Sequence, residues 1–428
     1  MNIAVGLLCA VMMIVFSLQA QDGTAAAVGS PTGSLTKVYC TGLTSWESGQ
    51  IYRGVFADKI FEHRWENRVF ADLNLNADIN DRLKVVAGVE GEISFSQRND
   101  NAFRQSLHQI PLIYINQAEG IVTILDDKSS TPLALHGGYM LYKYNPQATN
   151  LGEYLFRSMT YPQVLFSQFD FTKARILGLR LNNTLWGNRI VSDLFVTSTA
   201  DFYPMYDFSI AYVGSIKPFD AIEIGYGVDF DRVLSVDTGK TTPMTNDNTY
   251  IDPLNQADTT RYSFSGIKIM ARLCFDPKAF FSHGIFGAED LKIFGEMAIL
   301  GVKNYPGDYS QLWQRIPLMF GINFPAFKLL DVLSIQGEYF RSPYADSYHM
   351  VMWNLVPRPD IAATRYGNND WKWSVYACKK LFGGLSLIAQ VANDHSQVDV
   401  AREEDAEYQE AMRANGMWSW MLKMKFEF

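Results

Sequence analysis

Residues 69–95 read VFADLNLNADINDRLKVVAGVEGEISF, and this stretch decides the fold. From Val69 to Ile79 every second residue is apolar, and the residues between them are, from position 72 on, aspartate or asparagine. The alternation resumes over residues 83–95, opposite a second face that is largely polar or charged. A period of two is typical of β-strands, because successive side chains point to opposite faces. Two such strands joined at Asn80 and Asp81 predict a β-hairpin.

The same alternation recurs at residues 222–230, 267–275 and 333–339. Several of the runs are long, and residues 69–79 alone span eleven positions. A tilted strand that crosses a membrane needs about 9–11 residues, whereas strands in soluble domains usually have about five or six. Strand length therefore favours a membrane-spanning barrel over a soluble β-sandwich or propeller.

Charged residues occupy the polar faces of these strands at several successive positions, as a water-filled lumen would allow. The predicted lumen-facing side chains are Arg68, Asp72, Lys84, Glu90, Glu92, Glu223, Asp229, Lys268, Arg272 and Glu338. We expect most of them to be solvated wall residues and a few to set selectivity. Aromatic residues gather near the predicted strand ends, as in membrane interface girdles. They are Trp186, Tyr262, Trp313, Trp371, Trp373 and Trp418.

The last strand carries the most specific signal. Counting back from the end, alternate residues are apolar: Phe428, Phe426, Met424, Leu422, Trp420 and Trp418. This pattern resembles the C-terminal signal by which bacterial outer-membrane β-barrels are recognised for insertion. The resemblance implies an all-β, transmembrane antiparallel β-barrel in the outer membrane of a Gram-negative bacterium. The implied partners are the barrel-assembly machinery, outer-membrane lipid and lipopolysaccharide.

The N-terminus is typical of an export signal. Residues 1–20 carry no charged side chain, residues 5–18 are almost wholly apolar, and Ala20 offers a small residue for cleavage. We predict a signal peptide over residues 1–20, although no Lys or Arg precedes the apolar run; an uncleaved anchor is the alternative. Residues 21–46 are expected to form a flexible segment, and residues 47–428 the barrel.

Composition excludes several other classes of protein. Apolar residues make up 48% of the 428 residues, mean hydropathy is −0.07, and no transmembrane helix is indicated after the N-terminus. The net charge of −8 argues against nucleic acid as the main partner. Outside the leader, Cys40, Cys274 and Cys378 are widely spaced and predict neither a disulfide framework nor a zinc site. One bridge from Cys40 to either of the others stays open.

Connection lengths set the predicted topology, because bacterial barrels have short periplasmic turns and longer outer loops. Working back from a periplasmic C-terminus, the outer connections are 232–259, 305–312, 342–370 and 395–415. The inner ones are 215–220, 276–289, 325–328 and 380–384. Counting gives roughly 18 strands if residues 50–58 form the first, with 16 as the next choice and both termini periplasmic. Closure requires residues 50–58 or 68–79 to pair with 416–428, since an open edge leaves backbone groups unpaired in hydrocarbon.

The connection at residues 145–161 is the leading candidate for a functional element. Strand parity places it on the inner side, yet it is long. Glu153 and Arg157 would share one face of a helical turn, with Tyr154 beside them. The functional hypothesis is that this connection folds into the lumen as a constriction that selects solutes by charge and size. A surface loop with an ordinary ion pair is the alternative.

Motifs for metals, cofactors and catalysis are missing. The six histidines form no HExxH or other metal spacing, and neither GxSxG nor a phosphate-binding loop occurs. We therefore predict no metal, no cofactor and no enzymatic activity. Asp394 with His395, and Asp346 with His349, are the pairs that a rim-active barrel enzyme would use. The acidic run at 402–410 is interpreted as a solvated outer loop.

The sequence thus predicts a porin-like channel for passive diffusion of small hydrophilic solutes, with a homotrimer as one expected assembly. The alternative is a plugged structural or adhesive barrel whose outer loops bind surfaces or partners. A lumen filled by residues 145–161 and 21–46 would favour the alternative, and an open lumen would favour the channel.

Overall fold

A computed structural model describes residues 37–56, 59–97, 111–125, 131–157, 174–198, 207–234, 249–251, 261–263, 266–281, 284–302, 311–341, 371–398, 409–412 and 414–428. The predicted signal peptide lies outside these residues. Sixteen strands of the described chain form one closed antiparallel barrel. None of the helical segments described is long and apolar enough to cross a membrane.

The first strands are β1 (Lys37–Phe56), β2 (Lys59–Asn80), β3 (Leu83–Gln97), β4 (Pro111–Leu125), β5 (Leu133–Tyr142), β6 (Ala174–Leu185), β7 (Ile190–Ser198), β8 (Phe208–Phe219), β9 (Ile222–Leu234), β10 (Thr249–Ile251) and β11 (Arg261–Ser263). They are followed by β12 (Gly266–Phe275), β13 (Ile293–Ile299), β14 (Leu318–Asn323), β15 (Val332–Tyr339), β16 (Trp371–Lys380), β17 (Leu385–Asn393), β18 (Gln397–Val398), β19 (Gln409–Glu410) and β20 (Trp418–Glu427). The pairs β10–β11 and β18–β19 are small separate ribbons, and all other strands belong to the barrel. The helical turns are α1 (Tyr154–Arg157) and two 3-10 turns, Pro277–Phe280 and Leu312–Arg315.

The barrel closes between its first and last strands, as predicted, but the first strand pairs through residues 43–53 and not through 50–58. β1 pairs with β20 from Leu43 opposite Glu427 onwards, and Gly42 and Phe428 exchange backbone hydrogen bonds of 2.9 and 3.0 Å. The β2–β3 hairpin is also confirmed. Asn80 caps its turn, because its Oδ1 accepts hydrogen bonds from the backbone N–H groups of Arg82 and Leu83, both at 2.9 Å.

Polar side chains face into the barrel and apolar side chains face out, which reverses the arrangement of a soluble protein. Met297 on β13 is 43% exposed, whereas the preceding Glu296 is 2% exposed. On β15, Ile335 is 41% exposed and Gln336 only 1%. Because soluble proteins rarely bury carboxylates behind an apolar exterior, the outer surface is suited to hydrocarbon rather than to water.

The favoured count of 18 strands is wrong; 16, the second choice, is the number that closes the barrel. β1 begins at Lys37, so residues 37–46 belong to the barrel and not to the flexible segment. β1 and β2 are 20 and 22 residues long, about twice what one membrane crossing needs. β1 and β2 therefore extend beyond the two strands that the sequence predicts at residues 50–58 and 68–79.

The connection at 145–161 also lies at the other end of the barrel from the predicted one. The inner placement requires an even number of strands between it and the turn at 215–220, but the structure has three, β6, β7 and β8. The connection consequently opens at the end opposite Phe428. Leu151 and Leu155 within it are fully buried.

Candidate functional site

After β5 the chain turns into the barrel. Residues 143–157, which we call the inward segment, contribute Tyr144, Leu151 and Tyr154 to the main buried apolar cluster. Gly152 marks the closest approach to β14. Its φ is +90°, and a Cβ at this position would lie 2.7 Å from Cε of Met319, so a side chain would be both strained and crowded.

Glu296 on β13 anchors the inward segment. Its Oε1 accepts hydrogen bonds from the Tyr144 hydroxyl (2.5 Å) and the Tyr154 backbone N–H (2.8 Å). Its Oε2 accepts from the Asn145 side-chain amide (2.6 Å) and the Glu153 backbone N–H (3.0 Å). Burial, and then the Glu296 charge, raise the pKa of the Tyr144 hydroxyl well above its ordinary value, so this hydroxyl remains a donor. Four donors thus compensate one buried carboxylate.

The inward segment reaches the opposite wall of the barrel. The Tyr154 hydroxyl donates a 2.7 Å hydrogen bond to Oε2 of Glu338 on β15, and the Gln336 side-chain amide donates to the Gln147 carbonyl at 2.9 Å. β15 is eight strands from β5 in either direction around the barrel of sixteen. The inward segment therefore spans the lumen and divides its cross-section.

A second connection meets the inward segment at the same end. The Asn150 amide donates to Oδ2 of Asp394, just past β17, at 2.6 Å, and the Ser396 backbone N–H donates to Oδ1 at 2.9 Å. His395 contacts Glu338 through Nε2. Burial raises the pKa of the Asp394 carboxyl, and the Asn150 hydrogen bond opposes this shift. Asp394 thus joins the second connection to the inward segment, and His395 joins it to β15. The other pair that a rim enzyme would use, Asp346 and His349, lies outside the described residues.

Glu153 lies outside the helical turn on which its predicted pairing with Arg157 depends. Glu153 has φ +63° and precedes α1, so the four-residue spacing of a helix does not apply to it. Its Oε1 accepts a 2.6 Å hydrogen bond from the Asn145 backbone N–H instead. The side chain of Arg157 lies outside what the structure describes. Tyr154 is in the lumen, where its hydroxyl binds Glu338.

The predicted wall charges on the β1–β6 side form ion pairs and hydrogen bonds between strands. Arg68 Nε lies 2.8 Å from Glu92 Oε1, and Lys84 Nζ donates to the Tyr39 hydroxyl at 3.1 Å. The Glu90 carboxylate accepts from Arg175 at 2.8 and 2.9 Å. Asp72 Oδ1 accepts the side-chain amides of Asn74 (2.8 Å) and Asn116 (2.7 Å), which holds both amides toward the lumen wall.

The predicted charges on the other side are buried rather than solvated. Lys268 on β12 lies 3.8 Å from Asp229 and 3.9 Å from Asp231, and Arg272 pairs with Glu223. Side-chain exposure is 2% for Lys268, compared with 24% for Arg68 and 36% for Arg175. Asp229, Lys268 and Arg272 on this wall are buried, whereas Glu223 keeps 16% of its side chain exposed. The inward segment packs against this side, with α1 on β9, β12 and β13.

Two elements of the site were missed by the sequence reasoning. Glu296 stands in the alternating run IFGEMAI, where a polar residue on the inner face was a detectable signal. Its partners lie more than 140 positions away, and nothing local in the sequence indicates them. The pair of Glu47 with Lys423 (2.9 Å), which ties β1 to β20, was missed because β1 was expected to start later.

Within the described residues, no group of three His, Cys, Asp or Glu side chains is placed to hold a metal ion. Cys40, Cys274 and Cys378 are free thiols, so neither bridge that the sequence left open is formed.

Comparison with known proteins finds likeness in structure only. No family model and no curated protein matches the chain. A Salmonella typhi OmpF complex with daunomycin is similar over 92% of this chain and 98% of that one, at 7% identity and a TM-score of 0.47. A mutant of the Rhodopseudomonas blastica porin is similar over 92% and 100%, at 8% identity and a TM-score of 0.43. Similarities this weak do not show what this chain does. Its function has to be inferred from its own residues.

Proposed function

We propose that the chain forms a channel in a bacterial outer membrane, through which small hydrophilic solutes diffuse. One observation carries the proposal: a closed barrel of sixteen strands holds its charged side chains inside and presents apolar side chains outside. Barrels of about eight strands are filled by their own side chains, whereas those with 16–18 leave room for water. The polar wall supports a lumen that is wet.

The inward segment is the proposed constriction. It spans from β5 to β15 and packs on the buried side of the lumen, whereas Arg68 and Arg175 on the other side stay partly exposed. This difference supports an opening between the inward segment and the wall of β1–β6. Solutes would be selected chiefly by whether they fit that opening.

The pairing of the partly exposed arginines supports a channel that selects only weakly by charge and lets neutral solutes pass. Each is matched by a carboxylate on the wall: Arg68 with Glu92, Arg175 with Glu90, and Arg180 with Asp193 at 2.7 Å. Paired charges of opposite sign attract polar groups, but they produce little net field at a distance.

The proposed topology and surroundings are those of a channel in the outer membrane. Phe428 and the short turns would lie on the periplasmic side, after export by the signal peptide and insertion by the barrel-assembly machinery. Outer-membrane lipid and lipopolysaccharide would surround the apolar exterior, and a homotrimer is the proposed assembly.

Solute uptake by vesicles tests the channel. Liposomes that contain the refolded protein should swell in isotonic solutions of neutral sugars, and the rate should fall steeply as the sugar becomes larger, because the constriction excludes by size. Liposomes without protein serve as the control. Swelling that is absent for the smallest sugar, with a correctly folded barrel, would exclude the channel.

A plugged structural barrel is the second candidate, favoured by the connection between β17 and β20. Its residues Ala411 and Met412 are fully buried with Ile51 of β1, and Val55 N–H donates to the Ala411 carbonyl at 2.8 Å. This connection therefore covers part of the lumen at the end where the inward segment begins. The plugged barrel predicts no swelling for any solute.

A further inference from the structure

The turns at the Phe428 end of the barrel differ in polarity around its circumference. The β2–β3 turn is polar, with Asn80, Asp81 and Arg82 at its tip. The connections after β12, β14 and β16 instead display large exposed apolar side chains, which we call the apolar rim: Phe280, Phe281, Ile285, Phe327, Leu329 and Phe382. Leu329 and Phe382 are each 78% exposed, so the rim faces its surroundings rather than a core.

The rim is held in place by contacts between its connections. The ring of Phe286 lies 5.8 Å from the rings of both Phe281 and Phe327, which joins the connection after β12 to the one after β14. Lys328 Nζ donates to the Gly284 carbonyl at 2.9 Å, and Lys379 on β16 donates to the Lys328 carbonyl at 2.9 Å. The apolar side chains therefore belong to connections that are fixed to one another by ring contacts and hydrogen bonds.

Three of the strands that border the rim are shorter than the stretch that one bilayer crossing needs. β13, β14 and β15 have 7, 6 and 8 residues, compared with 20 in β1, and a crossing strand needs about 9–11. The outward apolar residues of β14, together with Phe324, which follows it, run from Leu318 to Phe324. At about 3.4 Å per residue and a tilt of about 40°, they cover roughly 15 Å of the approximately 25 Å apolar band of a membrane barrel.

The part of the apolar band that β14 does not cover lies toward the rim. At the other end of these strands, the rings of Trp371 and Tyr339 lie with their centroids 4.9 Å apart and their planes inclined by 51°. The Arg341 guanidinium lies 4.3 Å from the Trp313 ring centroid. Amphipathic aromatic rings of this kind are typical of the boundary between membrane and water. With one boundary at that level, the band has to continue beyond Phe324, where Phe327 and Leu329 follow in the chain.

We infer that the apolar rim is immersed in lipid and completes the apolar band on the side of β12–β17. The inference rests on the proposed insertion into a membrane. Lipid is the occupant because the rim continues the exposed apolar surface of Ile322 and Phe324 without a break in the chain. Two of the three rim connections, those after β12 and β14, border the short strands β13, β14 and β15. The β2–β3 turn, which joins long strands, is polar. The Lys328 ammonium keeps a hydrogen-bond partner, the Gly284 carbonyl, while its stem can lie along the apolar surface.

Spin labels at single cysteines test the inference. Leu329→Cys and Phe382→Cys, in a background of Cys40→Ala, Cys274→Ala and Cys378→Ala, are labelled and reconstituted in phosphatidylcholine vesicles. Phe320→Cys, in the middle of the band, and Asp81→Cys, in the polar turn, are the matched controls. Collisions with oxygen, which concentrates in lipid, are compared with collisions with a water-soluble nickel chelate. The oxygen-to-nickel ratio at Leu329 and Phe382 should match that at Phe320 and exceed that at Asp81 several-fold.

Each other outcome overturns a different statement. Rim labels reached by nickel, with the Phe320 label reached by oxygen, would overturn the rim and leave membrane insertion intact. A Phe320 label reached by nickel would overturn insertion itself. Rim labels that neither reagent reaches would show a protein contact or a second copy there. If the cysteine-free barrel does not fold, a lipid-borne carbene probe on the unaltered protein should label peptides covering 324–331 and 381–384 but not 80–82, and the reverse pattern would overturn the inference.

Discussion

Replacing residues 144–157 with a Gly/Ser linker of the same length is expected to raise the single-channel conductance roughly twofold or more, because it removes the element that divides the lumen. The strands that close the barrel are untouched, so the β-sheet should form as before. Larger sugars should also enter vesicles that contain the variant. The measurement is conductance in a planar bilayer, together with the size limit in swelling.

A Gly/Ser replacement of residues 187–189, in the turn between β6 and β7, is the matched control. That turn lies at the other end of the barrel and is exposed, so conductance should stay at the level of the unaltered protein. A folded segment variant whose conductance is unchanged or lower would show that the inward segment does not limit flow.

Glu296→Ala is expected to destabilise the docked inward segment by about 3 kcal/mol or more, because several buried donors lose their acceptor at once. Tyr144, Asn145 and the backbone of Glu153 and Tyr154 all depend on this carboxylate. Detachment of the inward segment should appear as higher and noisier conductance, and as faster proteolysis within residues 143–157. Glu296→Gln keeps an acceptor oxygen, so its conductance noise and its rate of proteolysis should lie between those of the unaltered protein and of Glu296→Ala.

Glu92→Ala is the control for loss of a lumenal carboxylate. Glu92 pairs with Arg68, whose side chain is partly exposed, so the expected loss of stability is about 1 kcal/mol or less. Noise should not rise, since Glu92 lies on the wall of β3 and not beneath the inward segment. Equal effects of the two substitutions would contradict the anchoring role of Glu296.

The sequence predicts what depends on short-range pattern. The period of two in residues 69–95 gives the β2–β3 hairpin, and the alternation up to Phe428 gives the closing strand, because each face of a strand has one environment. The count of strands does not follow in this way. Strand length ranges from 6 residues in β14 to 22 in β2, so an average length per strand and connection does not give the number of strands.

The candidate site depends on contacts that the sequence does not encode locally. That residues near 145–157 enter the lumen was predicted from an unusually long connection, but its end of the barrel was not, since one strand too many or too few reverses the parity. Glu296 and Glu338 could be placed on the inner face by alternation. Their roles as acceptors for Tyr144 and Tyr154 arise only when the barrel closes and brings β5 opposite β15.

The apolar exterior and the braced rim concern how the barrel sits in lipid, whereas the inward segment concerns what passes through it. These two aspects are separable by experiment, because substitutions at Leu329 or Phe382 leave the lumen unaltered and substitutions at Glu296 leave the exterior unaltered.

Single-channel conductance of the purified, refolded protein in a planar bilayer tests the central claim most directly. A water-filled lumen narrowed by the inward segment predicts stable steps in the nanosiemens range, with weak ion selectivity because the wall charges are paired. A barrel that is folded by circular dichroism and inserted in the bilayer, yet shows no conductance steps, would contradict the channel and leave the plugged structural barrel in its place.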